Sequence, residues 1–285
     1  RLMLERGEAL VAGCRLLLGL FPGAVCVLAV ENNKPDAIAH LSDLVRACGD
    51  ARLSVCPLKT KYPQGGERML IRAVTGRYLN SRLLPADRGC IVMNVASVLA
   101  AYGAISCGRP LTHCIMTVTG DAVSSPCNLE VPVGTSYAAV LAEAGGFSAE
   151  PEKVISGGPM MGTALFSLDI PVTKTASSIL ALRHDPVALH DASPCIHCGH
   201  CLHACPEGLV PQLLSAAAEQ EQFDVFEKYG GMECIECGSC AFVCPAGRHL
   251  VQSMRYGKRQ TGALIRARKA AETSNQTAQK GGAGK

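Results

Sequence analysis

The chain has 285 residues, 48% of them hydrophobic and 18% charged, a composition that builds two or three domains with cores of their own and excludes a disordered chain. Aromatic residues make up 4%, with no Trp, which removes the stacking platforms that single-stranded nucleic acid needs. The net charge of +3 is gathered at the end: between 252 and 285, Arg255, Lys258, Arg259, Arg266, Arg268, Lys269, Lys280 and Lys285 face a single acid, Glu272, and the remaining body is slightly acidic.

Arg1–Leu20 carries a helical pattern closed by Pro22-Gly23, and it starts so abruptly at Arg1 that a preceding segment is expected. Ala24–Val30 is a short apolar run of strand type. Asn32-Asn33-Lys34-Pro35 then supplies a cap and an N1 proline for a helix ending near Cys48-Gly49, and Ala51–Leu58 reads as a second strand. This β-α-β alternation predicts an α/β layer with a mainly parallel sheet. A loop holding Gly65-Gly66 leads into a helix at Glu67–Val74, whose N-terminus has the polarity to receive a phosphate. Residues 89–108 carry no charge over twenty positions, the length of a membrane span. Asn94, Ser97, Ser106 and the glycines dilute the run, so a buried strand at Cys90–Asn94 running into a helix at Val95–Ile105 is expected, in a soluble chain.

From 113 the pattern changes. Strand-like 114–120 and 127–134 flank a turn at Ser124–Pro126, a helix at Ser136–Ala144 ends at Gly145-Gly146, and extended pieces come next at Lys153–Ser156 and Phe166–Leu168. A small α+β module over 113–170 accounts for these. The run GGPMMG at 157–162 spaces its glycines as a P-loop does, but Thr163-Ala164 stands where Lys and Ser/Thr belong; a tight turn and a functional loop both remain open for it. Residues 171–193 read as a connector. The stretch after Thr261, rich in Ala, Lys, Arg, Gln and Gly, reads as a short helix fading into disorder.

Half of the 16 cysteines lie in PCIHCGHCLHACP (194–206) and ECIECGSCAFVCP (233–245). The other eight (Cys14, Cys26, Cys48, Cys56, Cys90, Cys107, Cys114 and Cys127) are scattered through mostly apolar segments as small hydrophobes, which suits a reducing compartment. Zinc sites usually pair two C-x2-C knuckles a dozen or more residues apart. Here three cysteines come at intervals of three, a fourth stands four residues later, and proline closes the run. That is the spacing of the two-cluster bacterial ferredoxins, in which the fourth cysteine ligates the other cluster. The expected ligands are Cys195, Cys198, Cys201 and Cys244 for one [4Fe–4S] cluster, and Cys234, Cys237, Cys240 and Cys205 for the other. Gly199 and Gly238 occupy equivalent places where backbone N–H groups can approach sulfide, and His197, His200 and His203 sit beside the ligands rather than among them. The long spacer between the motifs reads as two helices, 209–222 and 223–231, forming an insert that packs the clusters against the rest of the chain.

The stretches ENNKPDAI (31–38), TKYPQGGERMLI (60–71), TVTGDAV (117–123), VPVGT (131–135) and GGPMMG, together with the paired cysteine motifs, resemble the C subunit of the Rnf complex from Arg1 to about Lys258. The resemblance implies a fold in three parts: a complex I flavoprotein-like α/β domain at 1–112, an SLBB β-grasp module at 113–170, and, after the connector at 171–193, a mainly helical ferredoxin-like domain at 194–257 with a basic, disordered tail at 258–285. It places Tyr62, Gly65, Gly66 and Glu67 beside FMN and nicotinamide, and Asn94 at the turn that meets the flavin phosphate. The family's glycine-rich flavin loop belongs ahead of Arg1. The function that the resemblance implies is that of an electron-transfer subunit, passing electrons between NADH, FMN and two [4Fe–4S] clusters. Its partners are the other Rnf subunits and, indirectly, ferredoxin or an equivalent carrier, at the cytoplasmic face of the bacterial cell membrane, with no nucleic-acid partner. A microcompartment cobalamin reductase shares this architecture, and an iron–sulfur docking module without flavin is the alternative from another class.

Overall fold

The computed structural model describes residues 1–185, 187 and 191–282. The chain falls into two compact units, one made of Arg1–Met116, Asn128–Val140 and Asp169–Ser177, the other of Thr117–Cys127, Leu141–Leu168 and the chain from Ser178 onward.

The first unit opens with helices α1 (Leu2–Glu5) and α2 (Gly7–Leu18), followed by strand β1 (Cys26–Glu31), helix α3 (Pro35–Cys48) and strand β2 (Leu53–Leu58). Pro35 starts α3, and Gly49 ends it in the left-handed conformation (φ 65°), as a helix stop requires. The β1–β2 pairing is parallel, in register from Cys26↔Leu53 to Glu31↔Leu58, so the α3 crossover does what the alternation predicts. Leu10, Val11, Cys14, Leu18, Leu28, Val30, Leu41 and Val98 build one buried core. Helices α4 (Glu67–Thr75) and α5 (Val95–Cys107) complete this part. α5 lies close to α2, where a side chain at Gly13 would meet Val98 Cγ1 at 2.9 Å. The expected strand at Cys90–Asn94 is absent: the segment is irregular, with Ile91 64% and Met93 41% exposed. An apolar run becomes a strand only where a neighbouring edge takes its hydrogen bonds, and among the described residues this sheet consists of β1 and β2. No helix among the described residues is long and apolar enough to cross a membrane.

The middle of the chain forms a five-stranded sheet of order β4-β3-β7-β5-β6, made of β3 (His113–Thr119), β4 (Cys127–Pro132), β5 (Lys153–Ser156), β6 (Thr163–Ala164) and β7 (Ser178–Leu182), with α6 (Tyr137–Glu143) after β4. β7 runs parallel to β3 from Thr117↔Ser178 and antiparallel to β5 from Lys153↔Leu182. The stretch that reads as a connector thus supplies the central strand. Its sequence, SILAL, is short and apolar, with Ile179 and Ala181 fully buried on one face and Leu180 and Leu182 half-buried on the other; positions 186 and 188–190 lie outside the described residues. Phe166–Leu168 is not a strand, and Phe166 is wholly exposed.

After the sheet come α7 (His200–Ala204), α8 (Pro211–Glu219), α9 (Phe223–Lys228), α10 (Ser239–Phe242) and α11 (Leu250–Gly282). The expected disordered tail is instead the continuation of α11, a consequence of helix-favouring Ala, Lys, Arg and Gln; positions 283–285 lie outside the described residues. The helical insert, α8 and α9, packs on α11 around Leu214, Ala217, Ala218, Phe226 and Met254. Glu219 ties α8 to α11, taking hydrogen bonds from Ser215 Oγ at 2.7 Å, Ser253 Oγ at 2.9 Å and Arg248 at 2.7 Å. Burial alone would raise its carboxyl, and these donors outweigh burial and hold it below the ordinary range.

The Phe226 ring fixes the position of α11. It is fully buried between two glycines: a methyl group at Gly231 would lie 2.2 Å from Cε1, and one at Gly257 would lie 2.6 Å from Cε2. Phe226→Ala is expected to cost about 3–5 kcal/mol, and Gly257→Ala about 1–3 kcal/mol by overpacking. Both are measurable as shifts of the denaturation midpoint, and an unchanged midpoint in Gly257→Ala is the result that counts against the slot.

Candidate metal centres

The two cysteine motifs adopt the same backbone. In each, the residue before the second cysteine is left-handed, His197 at φ 55° and Glu236 at φ 57°, and the glycine after that cysteine is left-handed too, Gly199 at φ 78° and Gly238 at φ 86°. Each glycine then caps a single-turn helix, α7 or α10, that carries the third cysteine. The turns fold each loop around a concavity, and backbone N–H groups are directed at two of the sulfurs. Glu236 N–H donates to Cys234 Sγ at 3.4 Å, and Leu209 N–H donates to Cys205 Sγ at 3.4 Å.

The eight cysteines line two cavities. Cys234, Cys237 and Cys240 share the first with Cys205, and Cys195, Cys198 and Cys201 share the second with Cys244. The fourth cysteine of each motif therefore lies in the cavity of the other. Ser193 N–H and Oγ both donate to the Ala246 carbonyl, at 3.0 and 3.4 Å, which holds the start of the earlier motif against the end of the later one. Gln212 of α8 brings its side-chain oxygen to 3.2 Å from Cys201 Sγ.

Donor chemistry decides what fits. Zinc draws four ligands to about 2.3 Å from a single point. Four thiols spread around the rim of a concavity suit a multinuclear core. Burial pushes the Cys240 thiol up to about 12, and the neighbouring Cys234 and Cys237 charges add to the rise. Burial likewise raises Cys234 and Cys201. Thiolates gathered this way need positive charge at the centre of the cavity, as a metal core provides.

Three partners of the later motif lie outside the motif itself. The GGPMMG loop lies against it: a methyl group at Gly238 would meet the Met160 carbonyl oxygen at 3.0 Å and Met160 Cε at 3.4 Å. Lys258 and Arg255 of α11 reach Glu236. No signal in the sequence points to Met160, whose role depends on the fold. The two cations read from composition as part of a basic terminus, although their spacing of three already puts them on one helical face.

The expected flavin residues lie at the N-terminal ends of α4 and α5. Gly66 caps α4 without a side-chain hydrogen bond. Gly65 opens onto free space, and Tyr62 and Glu67 are exposed. Asn94 caps α5, its Oδ1 accepting from Ala96 N–H at 2.9 Å.

Three family models match in sequence order: the Nuo51 FMN-binding domain over residues 1–103, the SLBB domain over 115–164, and a 4Fe-4S dicluster domain over 188–245. Fold and site together define a flavoprotein-type α/β domain followed by an SLBB module and a two-cluster iron–sulfur domain. The chain is 45% identical over 260 residues to the C subunit of the Na+-translocating ferredoxin:NAD+ oxidoreductase complex of Acetobacterium woodii, a match covering 91% of this chain and 58% of that protein. It is 43% identical to the proton-translocating counterpart of Clostridium ljungdahlii, over 90% of this chain and 56% of the relative. With the C subunit of the ion-translocating oxidoreductase complex of Rhodobacter capsulatus it shares 39% identity, over 90% and 50% respectively. The chain is thus similar to these Rnf-type C subunits over nine-tenths of its own length, and it spans between half and three-fifths of the length of these relatives. A chain of an NAD+-reducing [NiFe]-hydrogenase in the H2-reduced state matches with a TM-score of 0.61 at 18% identity, over 91% of this chain and 53% of that one, a likeness of fold alone.

Gly199 and Gly238 test the packing of the GGPMMG loop. Both have positive φ, but nothing lies within 4 Å of a methyl group at Gly199. Gly199→Ala is expected to cost about 1 kcal/mol and Gly238→Ala up to about 3 kcal/mol, read from denaturation midpoints. Equal costs would show that the Met160 contact adds nothing.

Proposed function

We propose that this chain is an electron-transfer subunit of an ion-translocating NAD:ferredoxin oxidoreductase. It would work peripherally at the cytoplasmic face of the cell membrane, beside the other subunits of its complex. The observation that carries this reading is the pair of crossed four-cysteine cavities in a chain whose first hundred residues match a flavin-binding domain.

Cys195, Cys198, Cys201 and Cys244 hold one [4Fe–4S] cluster, and Cys205, Cys234, Cys237 and Cys240 hold the other. The boundaries that suit these roles are 1–112 for the flavin domain, 113–170 for the SLBB module and 194–257 for the clusters, with β7 drawn from the stretch between. The crossed ligands lock both loops at a fixed separation, which a relay of single electrons requires. Tyr62, Gly65, Gly66 and Glu67 line the flavin and nicotinamide side. Gly66 leaves the α4 amides to a ligand because no side chain occupies them, and Asn94 keeps the α5 terminus rigid toward a phosphate. FMN, when bound, exchanges two electrons with a nicotinamide and single electrons with iron–sulfur centres. The basic face of α11 suits contact with partner subunits or an anionic surface.

Ligand assignment is tested by iron content. Cys205→Ser combined with Cys240→Ser should strip one cavity and leave about half the iron. Cys205→Ser combined with Cys201→Ser should strip both. The reverse pattern overturns the crossing.

The electron-transfer reading is tested on the full-length protein, reconstituted with iron and sulfide and supplied with FMN. NADH is expected to bleach the cluster absorbance as dithionite does. Clusters that dithionite reduces and NADH leaves oxidised would make the chain an iron–sulfur docking module.

A further inference from the structure

We propose that Lys258 is a positioning and potential-setting residue for the centre of Cys205, Cys234, Cys237 and Cys240. The proposal rests on the ligand assignment above and goes beyond it. Lys258 Nζ donates to the Cys234 carbonyl at 2.7 Å and to Glu236 Oε1 at 2.8 Å. Arg255 Nε donates to Glu236 Oε2 at 3.1 Å. Glu236 in turn sends its backbone N–H to Cys234 Sγ at 3.4 Å. The ammonium is therefore bonded to the backbone of one ligand cysteine and to the residue that donates to that ligand's sulfur.

Three features separate this contact from an ordinary surface ion pair. The Lys258 side chain is 25% exposed and the Glu236 side chain 29%, so the charges are less screened than a pair in open water. Its place is set by packing, because Gly257 and Met254 on the same helix lie against Phe226. Glu207 and Glu236 both line this cavity, so a cation here offsets carboxylates that would disfavour an added electron. The earlier motif has His197 where the later one has Glu236, and the Arg248 that lines its cavity is paired with Glu219 at 2.7 Å. The contacts of Lys258 are with the backbone of a ligand of one centre, where its effect is expected.

A positive charge beside a centre that gains an electron stabilises its reduced form. Redox titration followed by electron paramagnetic resonance of the reconstituted chain tests this, with the centre identified by its disappearance in Cys240→Ser. In Lys258→Met the midpoint of that centre should fall by about a tenfold change in its reduction equilibrium, ~59 mV for one electron, while the other midpoint stays. Lys258→Arg should restore it, and Arg268→Gln, on the same helix but paired with Glu227, should move neither. Both centres present with neither midpoint moved, or with both moved equally, overturns the proposal. If Lys258→Met fails to retain the centre, Glu236→Gln decides: removing the carboxylate while keeping the ammonium should raise the midpoint, and an unchanged or lowered one overturns the proposal. A wild-type chain without two four-iron signals would refute the ligand assignment itself, an outcome distinct from these.

Discussion

Each four-cysteine cavity borrows its last thiol from the other motif, and the rest of the second unit depends on that crossing. Neither loop can be completed alone, so the two must be held together at fixed spacing through everything that separates them in sequence. The helices α8 and α9 span that separation, and α11 closes over them through the Phe226 slot and the Glu219 hydrogen bonds. A minimal two-cluster fold crosses its ligands with short connections; the longer insert here buries an apolar core of its own. The thiols resist this gathering, because burial and mutual repulsion raise several of them.

Legibility in the residues divides along a physical line. Local signals are legible: Pro35 and Gly49 bracket α3, Asn94 caps α5, and Lys153–Ser156 is a strand with those limits. The cysteine spacing is legible because a cluster imposes its own geometry on the backbone, so similar φ values recur at His197 and Glu236. Features that depend on partners distant in sequence are not. Cys90–Asn94 is apolar enough for a strand and finds no edge to join. Ser178–Leu182 sits in a segment that looks like a connector and becomes the centre of a sheet because β3 and β5 offer two edges to it. The C-terminal stretch has a composition that suits disorder as well as helix, and composition alone points the wrong way. Its first part, from Leu250 to Thr261, carries the buried stripe of Leu250, Val251, Met254 and Thr261, which anchors the helix and lets favourable propensity extend it.

The flavin-type unit shows the reverse situation. Its fold is close to the pattern in its sequence, yet the expected site residues sit on loop and helix-start positions whose chemistry is mostly backbone. Gly65 and Gly66 contribute by what they lack: a side chain at Gly66 would approach the Pro63 carbonyl at 3.1 Å, and no cap competes for the first amides of α4. Such positions become meaningful only with the remainder of a binding surface, and the chain spans about half the length of the relatives it matches.

The two cysteine motifs also show where functional difference can arise inside a repeat. Spacing, left-handed residues and single-turn helices are common to both, so the loops alone define two equivalent centres. Their surroundings are not equivalent. The later loop meets the Met160 carbonyl at Gly238 and, at Cys234, the ammonium of Lys258, itself paired with Glu236, while the earlier one meets the Gln212 amide and an Arg248 paired with Glu219. Cluster properties respond to hydrogen bonding, charge and water access at fixed ligation. Two four-cysteine sites of equivalent backbone therefore sit in different surroundings, set by elements outside both motifs, namely one loop of the SLBB module and one face of the C-terminal helix.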